Sequence, residues 1–218
     1  MKLSHLPKML SVMRREYKKW KPPIVGGFAC GENALFKVLV STLLSLRTQD
    51  RTTEEASRRL FARAETPQAL LKLDVQEIEK LIYPVGFYRT KAKNLLNVCR
   101  ILLEKHGGHV PDTMEELLAL PGVGRKTANL VMTVGHNRPG ICVDTHVHRI
   151  SNRWGLVRTK NADETEMELR RILPKRYWIE FNDLLVCYGQ NLCQPVSPHC
   201  SRCKIADRCP RVGVTKSR

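Results

Sequence analysis

Two residues in this chain carry groups suited to covalent work on a sugar, the amine of Lys126 and the carboxylate of Asp144. Lys126 directly follows Leu120-Pro121-Gly122-Val123-Gly124-Arg125, and Asp144 stands near the start of Val143-Asp144-Thr145-His146-Val147-His148-Arg149. A neutral amine can attack a sugar carbon, while a carboxylate can help to deprotonate it and can stabilise positive charge developing on the sugar. Gly122 and Gly124 mark a sharp turn between two helices, where a missing Cβ lets backbone turn or approach a ligand closely. Free N–H groups at such a turn, beside a helix N-terminus, favour a phosphate oxygen. Asp144 also reads as the N-cap of the helix that follows it.

A second group of reactive side chains lies near the C-terminus. Cys193, Cys200, Cys203 and Cys209 are spaced C-x6-C-x2-C-x5-C and are interrupted by Pro195 and Pro198. Four thiolates joined by short loops can hold one metal centre, either an iron–sulfur cube or a tetrahedral zinc. The remaining cysteines, Cys30, Cys99, Cys142 and Cys187, occur singly in apolar surroundings and read as small core residues. Arg202, Lys204, Arg208 and Arg211 surround the four-cysteine segment and would present positive charge to phosphates.

The elements that must position these groups are all helical. Leu3, Leu6, Met9, Leu10, Met13, Tyr17 and Trp20 recur at helical spacing, predicting an amphipathic helix over residues 4–20 that ends at Pro22 and Pro23. Gly26-Gly27 reads as a loop at the boundary between this helix and the next domain. Residues 33–46 are almost wholly apolar and predict a buried central helix. It leads into Arg47-Thr48-Gln49-Asp50, which reads either as a polar connection capped by Asp50 or Thr52 or as a DNA contact through Arg47 and Gln49. Thr66-Pro67, Asp74 with Glu77, and Thr113 with Glu116 are helix starts. Tyr83-Pro84-Val85-Gly86-Phe87 breaks the pattern before a long helix over residues 89–106 that Gly107-Gly108 terminates. Helices over residues 145–154, 163–173 and 177–189 complete an all-α chain without repeats or paired strands.

The chain has 218 residues, with 37 Lys+Arg against 21 Asp+Glu and a net charge of +16. Such a balance speaks of partners rather than fold, and it points to nucleic acid. Aromatic residues make up only 6%, which favours backbone contacts to a duplex over single-strand stacking. No apolar run approaches the roughly 20 residues that span a bilayer. The N-terminus lacks a signal-peptide core, so an intracellular protein is expected, and eight cysteines there mean metal or free thiols rather than disulfides.

Leu-Pro-Gly-Val-Gly-Arg-Lys-Thr-Ala-Asn, Val-Asp-Thr-His-Val-His-Arg and the four-cysteine segment together resemble the endonuclease III family of DNA glycosylases, over roughly residues 30 to 210. The resemblance implies two helical domains. A six-helix barrel-like domain over residues 28–138 would carry the helix-hairpin-helix, and residues 1–27 with 139–218 would hold a [4Fe–4S] cluster on the four cysteines, with DNA in the cleft between them. It implies Lys126 and Asp144 as catalytic residues, Gly122, Val123, Gly124 and Arg125 as hairpin contacts to DNA, a strand-inserting residue in the Arg47 and Gln49 loop, and Phe87 as a wedge into the base stack. Ordinary core packing is the alternative for Phe87.

The activity implied is a bifunctional glycosylase and apurinic/apyrimidinic lyase that removes oxidised pyrimidines such as thymine glycol from duplex DNA, acting as a monomer with DNA in a prokaryotic cytoplasm or nucleoid. The alternatives are a related monofunctional glycosylase with another base specificity and a non-catalytic iron–sulfur protein that binds DNA backbone. Relatives that remove adenine or mismatched thymine usually lack the lysine, and relatives that remove oxidised guanine generally lack the four cysteines.

Overall fold

The computed structural model describes residues 3–20 and 24–218, and no β-strand occurs among them. In chain order the helices are α1 (Leu6–Tyr17), α2 (Ala34–Ser45), α3 (Asp50–Arg63), α4 (Pro67–Leu70), α5 (Val75–Ile82), α6 (Tyr88–His106), α7 (Met114–Leu118), α8 (Arg125–Leu130), α9 (Thr145–Arg153), α10 (Ala162–Ile172) and α11 (Trp178–Asn191). The chain divides into two compact units, Ile24–Gly140 and Met1–Pro23 with Ile141–Arg218.

Within Ile24–Gly140, α2 is the central element. Its near-continuous apolar sequence buries Phe36, Val38, Leu39, Val40, Leu43 and Leu44, so it packs on several neighbours rather than along one stripe. Those neighbours include α3, α6, α8 and the π-helical turn Val131–Gly135 that continues α8. Burying each such side chain stabilises the unit by about 1.5–3 kcal/mol relative to exposure. The 3₁₀ turn Ile24–Phe28 also packs on α2 and α3, with Phe28 edge-on to Phe61 at 5.4 Å between ring centroids. Gly26 and Gly27 lie in this turn, just past the unit boundary between residues 23 and 24, and residues 24–27 and 139–140 fall in this unit rather than in the other.

Local signals set most helix starts. Thr66 Oγ1 accepts the Ala69 N–H at 3.1 Å, Asp74 Oδ1 accepts the Glu77 N–H at 2.7 Å, and Thr113 Oγ1 accepts the Glu116 N–H at 3.3 Å. The predicted cap of α3 is different. Gln49 takes the N-cap position without a side-chain bond, and Asp50 lies inside the first turn, where its charge suits the helix dipole. At the far end of α6, Gly107 adopts φ 58° and stops the helix.

The other unit is built on α11. Helices α9 and α1 pack against it and α10 packs on α9. Leu6, Met9, Leu10 and Met13 of α1 join Ile150, Trp154, Phe181 and Leu185 in one core. Leu3, predicted on the apolar face of the first helix, is exposed in a preceding 3₁₀ turn, and Pro22 and Pro23 lie outside the described residues. Cys99, Cys142 and Cys187 are buried as expected, whereas Cys30 is exposed, because the turn before α2 leaves its side chain at the surface.

Candidate active site

Lys126 owes its position to the turn between α7 and α8. The Val123 N–H closes that turn onto the Leu120 carbonyl at 3.1 Å, and Gly122 adopts φ 79°, a left-handed conformation that suits glycine. A Cβ on Gly122 would also lie 2.9 Å from Asn94 Nδ2 of α6. Gly124 is different, with extended backbone and open space where its Cβ would be, so the fold itself does not demand glycine there. Its missing side chain bears on what approaches from outside. Val123 is buried and its N–H is used in the turn, so it serves the packing of the hairpin. Helix α8 then buries Thr127, Ala128, Asn129 and Leu130, and sends Lys126 to the surface with Arg125 half-buried beside it.

In the same unit the structure brings together two loops that are about 40 residues apart in sequence. Arg47 and Phe87 both adopt left-handed backbone, with φ 53° and 59°, and the Arg47 guanidinium lies over the Phe87 ring at 5.6 Å. Phe87 is 63% exposed, so it is not a core residue, and Tyr83 is 60% exposed. Gln49 is exposed as well, with its backbone at the start of α3. Phe87 is also the residue immediately before α6, so the helix fixes the place of its exposed side chain.

Asp144 lies in the other unit and caps α9. Its Oδ1 accepts the N–H groups of His146 at 2.8 Å and Val147 at 2.9 Å, leaving Oδ2 for other work. From α9, Arg149 reaches the cysteine segment and donates from Nη2 to the Cys193 carbonyl at 2.8 Å, with His146 Nδ1 3.0 Å from the same nitrogen. Burial pulls the Arg149 guanidinium below its ordinary pKa. Arg153, also buried, donates to the Gln194 and Pro195 carbonyls at 2.7 and 2.6 Å and approaches Cys193 Sγ at 3.3 Å. Gly189 of α11 permits this crossing, since a Cβ there would fall 2.1 Å from His146 Nδ1. His148 has a structural role, its Nδ1 lying 2.7 Å from Thr165 Oγ1.

Cys193, Cys200, Cys203 and Cys209 line one recess, walled by apolar side chains including Ile150 and Ile205. Tyr188 also lines it, and its buried hydroxyl has no hydrogen-bond partner among the described residues. Burial pushes the Cys203 thiol up to about 11, with the other three cysteines adding to the effect. Around the recess Arg202, Lys204 and Arg211 are exposed, whereas Arg208 is paired with Asp207 at 2.7 Å.

Sequence reasoning missed three side chains that hold these parts in place. Lys91, Arg149 and Arg153 carry no local signal in the sequence, and only their distant partners distinguish them. Phe87 and Arg47 were each legible as candidates, but their contact was not.

Residues 40–175 match the HhH-GPD superfamily base excision DNA repair protein family. The chain is 49% identical to endonuclease III of Thermotoga maritima over 174 residues, covering 80% of this chain and 82% of that protein. It is 38% identical to endonuclease III of Escherichia coli K12, with the same coverage of both. Among solved structures, a trapped endonuclease III–DNA covalent intermediate superposes with a TM-score of 0.85 at 32% identity, over 97% of each chain. With a sequence match over 80% of its length and a fold match over 97%, the chain belongs to the endonuclease III family within the HhH-GPD superfamily of base excision DNA repair proteins.

Proposed function

We propose that this protein is a bifunctional DNA glycosylase and apurinic/apyrimidinic lyase of base excision repair, with Lys126 as nucleophile and oxidised pyrimidines such as thymine glycol as substrates. The observation that carries the reading is an exposed lysine, Lys126, on the first turn of α8 directly after a glycine turn, in a chain that superposes on an endonuclease III trapped covalently on DNA. A covalent adduct needs a nucleophile, and an amine on the deoxyribose accounts for both activities.

A base inside a duplex is out of reach, so the nucleotide must first leave the stack, at a cost of a few kcal/mol. The neutral Lys126 amine attacks C1′, the bond from C1′ to the base breaks, and the base departs with its electron pair and takes up a proton. The sugar ring opens to a Schiff base between C1′ and Nζ. Loss of a C2′ proton then expels the 3′ phosphate, and water finally releases the lysine. The Asp144 carboxylate takes up the amine proton and stabilises positive charge developing on the sugar through Oδ2, while Oδ1 holds α9. Gly122, Gly124 and Arg125 contact the backbone phosphates, and the net charge of +16 favours duplex binding. Arg47, Gln49 and Phe87 face the strands, Phe87 as the wedge between bases. The protein works as a monomer, inside the cell with its DNA.

The four cysteines fit a [4Fe–4S] cluster. They share one apolar recess, yet no three His, Cys, Asp or Glu side chains among the described residues stand as a single metal ion requires. Zinc ribbons usually carry two Cys-x2-Cys knuckles and this segment has one, so a polynuclear group suits it better. Burial disfavours the thiolates, and a coordinated cation reverses that preference. Cys193, Cys200, Cys203 and Cys209 would hold the group, which would supply a cationic core tying this segment into one loop assembly. Base excision itself calls for no electron.

Borohydride trapping tests the reading on three duplexes, one with thymine glycol, one with an abasic site and one undamaged. Adducts on the first two alone are expected. Lys126→Gln should bind the duplexes as before and form no adduct. Unchanged strand cleavage by that variant would remove Lys126 from the reaction, and trapping on the abasic duplex alone would move the base specificity elsewhere.

A further inference from the structure

We propose that Lys91 is a positioning residue for strand insertion: its ammonium locks the Arg47 loop and the Phe87 loop together, so that both side chains meet DNA as one rigid wedge. The inference rests on the reading of Arg47 and Phe87 as strand-facing residues.

Lys91 lies in the first turn of α6 and is only 9% exposed. Its Nζ donates to the Leu44 carbonyl at 2.8 Å, the Leu46 carbonyl at 2.6 Å and Thr48 Oγ1 at 3.2 Å. An ammonium has three donors, and all three are used. None of the acceptors is a carboxylate. Helix α2 ends at Ser45, so the Leu44 and Leu46 carbonyls belong to the helix end that lacks intrahelical donors and carries the negative pole of the dipole. Burial pushes the Lys91 amine down to about 8, and the three acceptors favour its charged form.

Thr48 extends the lock to the second loop. Its hydroxyl donates to the Leu46 carbonyl at 3.2 Å and accepts from Lys91 and from the Gly86 N–H, the latter at 3.2 Å. One donor and two lone pairs are thus all engaged. Gly86 lies so close to the Arg47 backbone that a Cβ would sit 2.6 Å from the Arg47 carbonyl oxygen. From α3, Arg59 fixes the far side of the second loop, donating to the Leu81 carbonyl at 2.8 Å and the Tyr83 carbonyl at 2.5 Å. Two left-handed, non-glycine tips persist only where their surroundings over-determine them, and this network does so for both. A planar guanidinium cannot converge on three acceptors at one point, so lysine is specific to the role.

The test compares single-turnover cleavage and trapping on two abasic duplexes. In one the abasic site faces a base, and in the other it faces a one-nucleotide gap, so that no stack need be filled. Lys91→Met should slow the reaction at the paired site on the order of 10-fold or more, since misplacement by about 1 Å can cost as much as 10²-fold. At the gapped site the deficit should shrink several-fold. Thr48→Val, which keeps shape and removes the shared hydroxyl, should show the same split more weakly, and it serves if Lys91→Met does not fold. Arg47→Ala and Phe87→Ala provide the reference pattern. If they show the split while Lys91→Met and Thr48→Val lose equally on both duplexes, or lose nothing, the inference is overturned. If the reference variants lose equally on both duplexes, strand insertion through these loops fails and the inference fails with it.

Discussion

Asp144 carries two roles in one carboxylate, and substitution can separate them. Oδ1 accepts two N–H groups at the start of α9, at 2.8 and 2.9 Å, while Oδ2 is left for chemistry. Asparagine keeps an oxygen that caps about as well as aspartate. Asp144→Asn therefore loses only the attraction of a full charge to the helix dipole, about 0.3–1 kcal/mol. Asp144→Ala loses the cap itself, about 0.5–2 kcal/mol. For a chain of this size each kcal/mol shifts Tm by about 2–4 °C. Alanine should thus melt several degrees below wild type and asparagine close to it. Catalysis should rank differently, because both variants lack the carboxylate. Each should lose about 10²- to 10⁴-fold in the rate of base release, the range for a positioned acid or base. Duplex binding should hold or tighten slightly as a negative charge is removed. The assay is single-turnover release of thymine glycol, run beside thermal melting of the same samples. If Asp144→Asn releases the base within about threefold of wild type, then no more than ~0.7 kcal/mol of barrier rests on the carboxylate. Asp144 would then be a cap and nothing more.

Two further outcomes follow from the geometry. Gly86→Ala places a Cβ 2.6 Å from the Arg47 carbonyl oxygen, so backbone must move. Such overpacking costs about 1–3 kcal/mol, and the variant should melt a few degrees lower and lose activity more on a paired abasic site than on a gapped one; full activity on the paired site would refute the close fit of these loops. The protein purified without exposure to oxygen should contain iron and acid-labile sulfide in equal amounts, and Cys203→Ser should lower both. Stoichiometric zinc without sulfide would replace the cluster with a mononuclear site.

The chemistry-bearing residues and most helix starts are written locally, which is why the sequence determined them. A cap such as Asp74 bonds an N–H three residues away, the turn at Gly122 closes over three residues, and the four cysteines fall within one short segment. The buried character of α2 also follows from its own composition. Tertiary structure decided what depends on distant partners. Nothing near Lys91 in sequence reveals that it will meet Leu44 and Leu46, and nothing near Arg153 reveals the carbonyls of Gln194 and Pro195. Cys30 looked like a core residue from its neighbours, but the path of the chain before α2 left it exposed. Phe87 could have packed inward by hydrophobicity alone; left-handed backbone at the start of α6 turned it out beside Arg47. The physical reason is the reach of the forces involved. Capping, turn geometry and helical periodicity act within a few residues, whereas satisfying a buried ammonium or guanidinium needs acceptors that only the folded chain brings within hydrogen-bond distance.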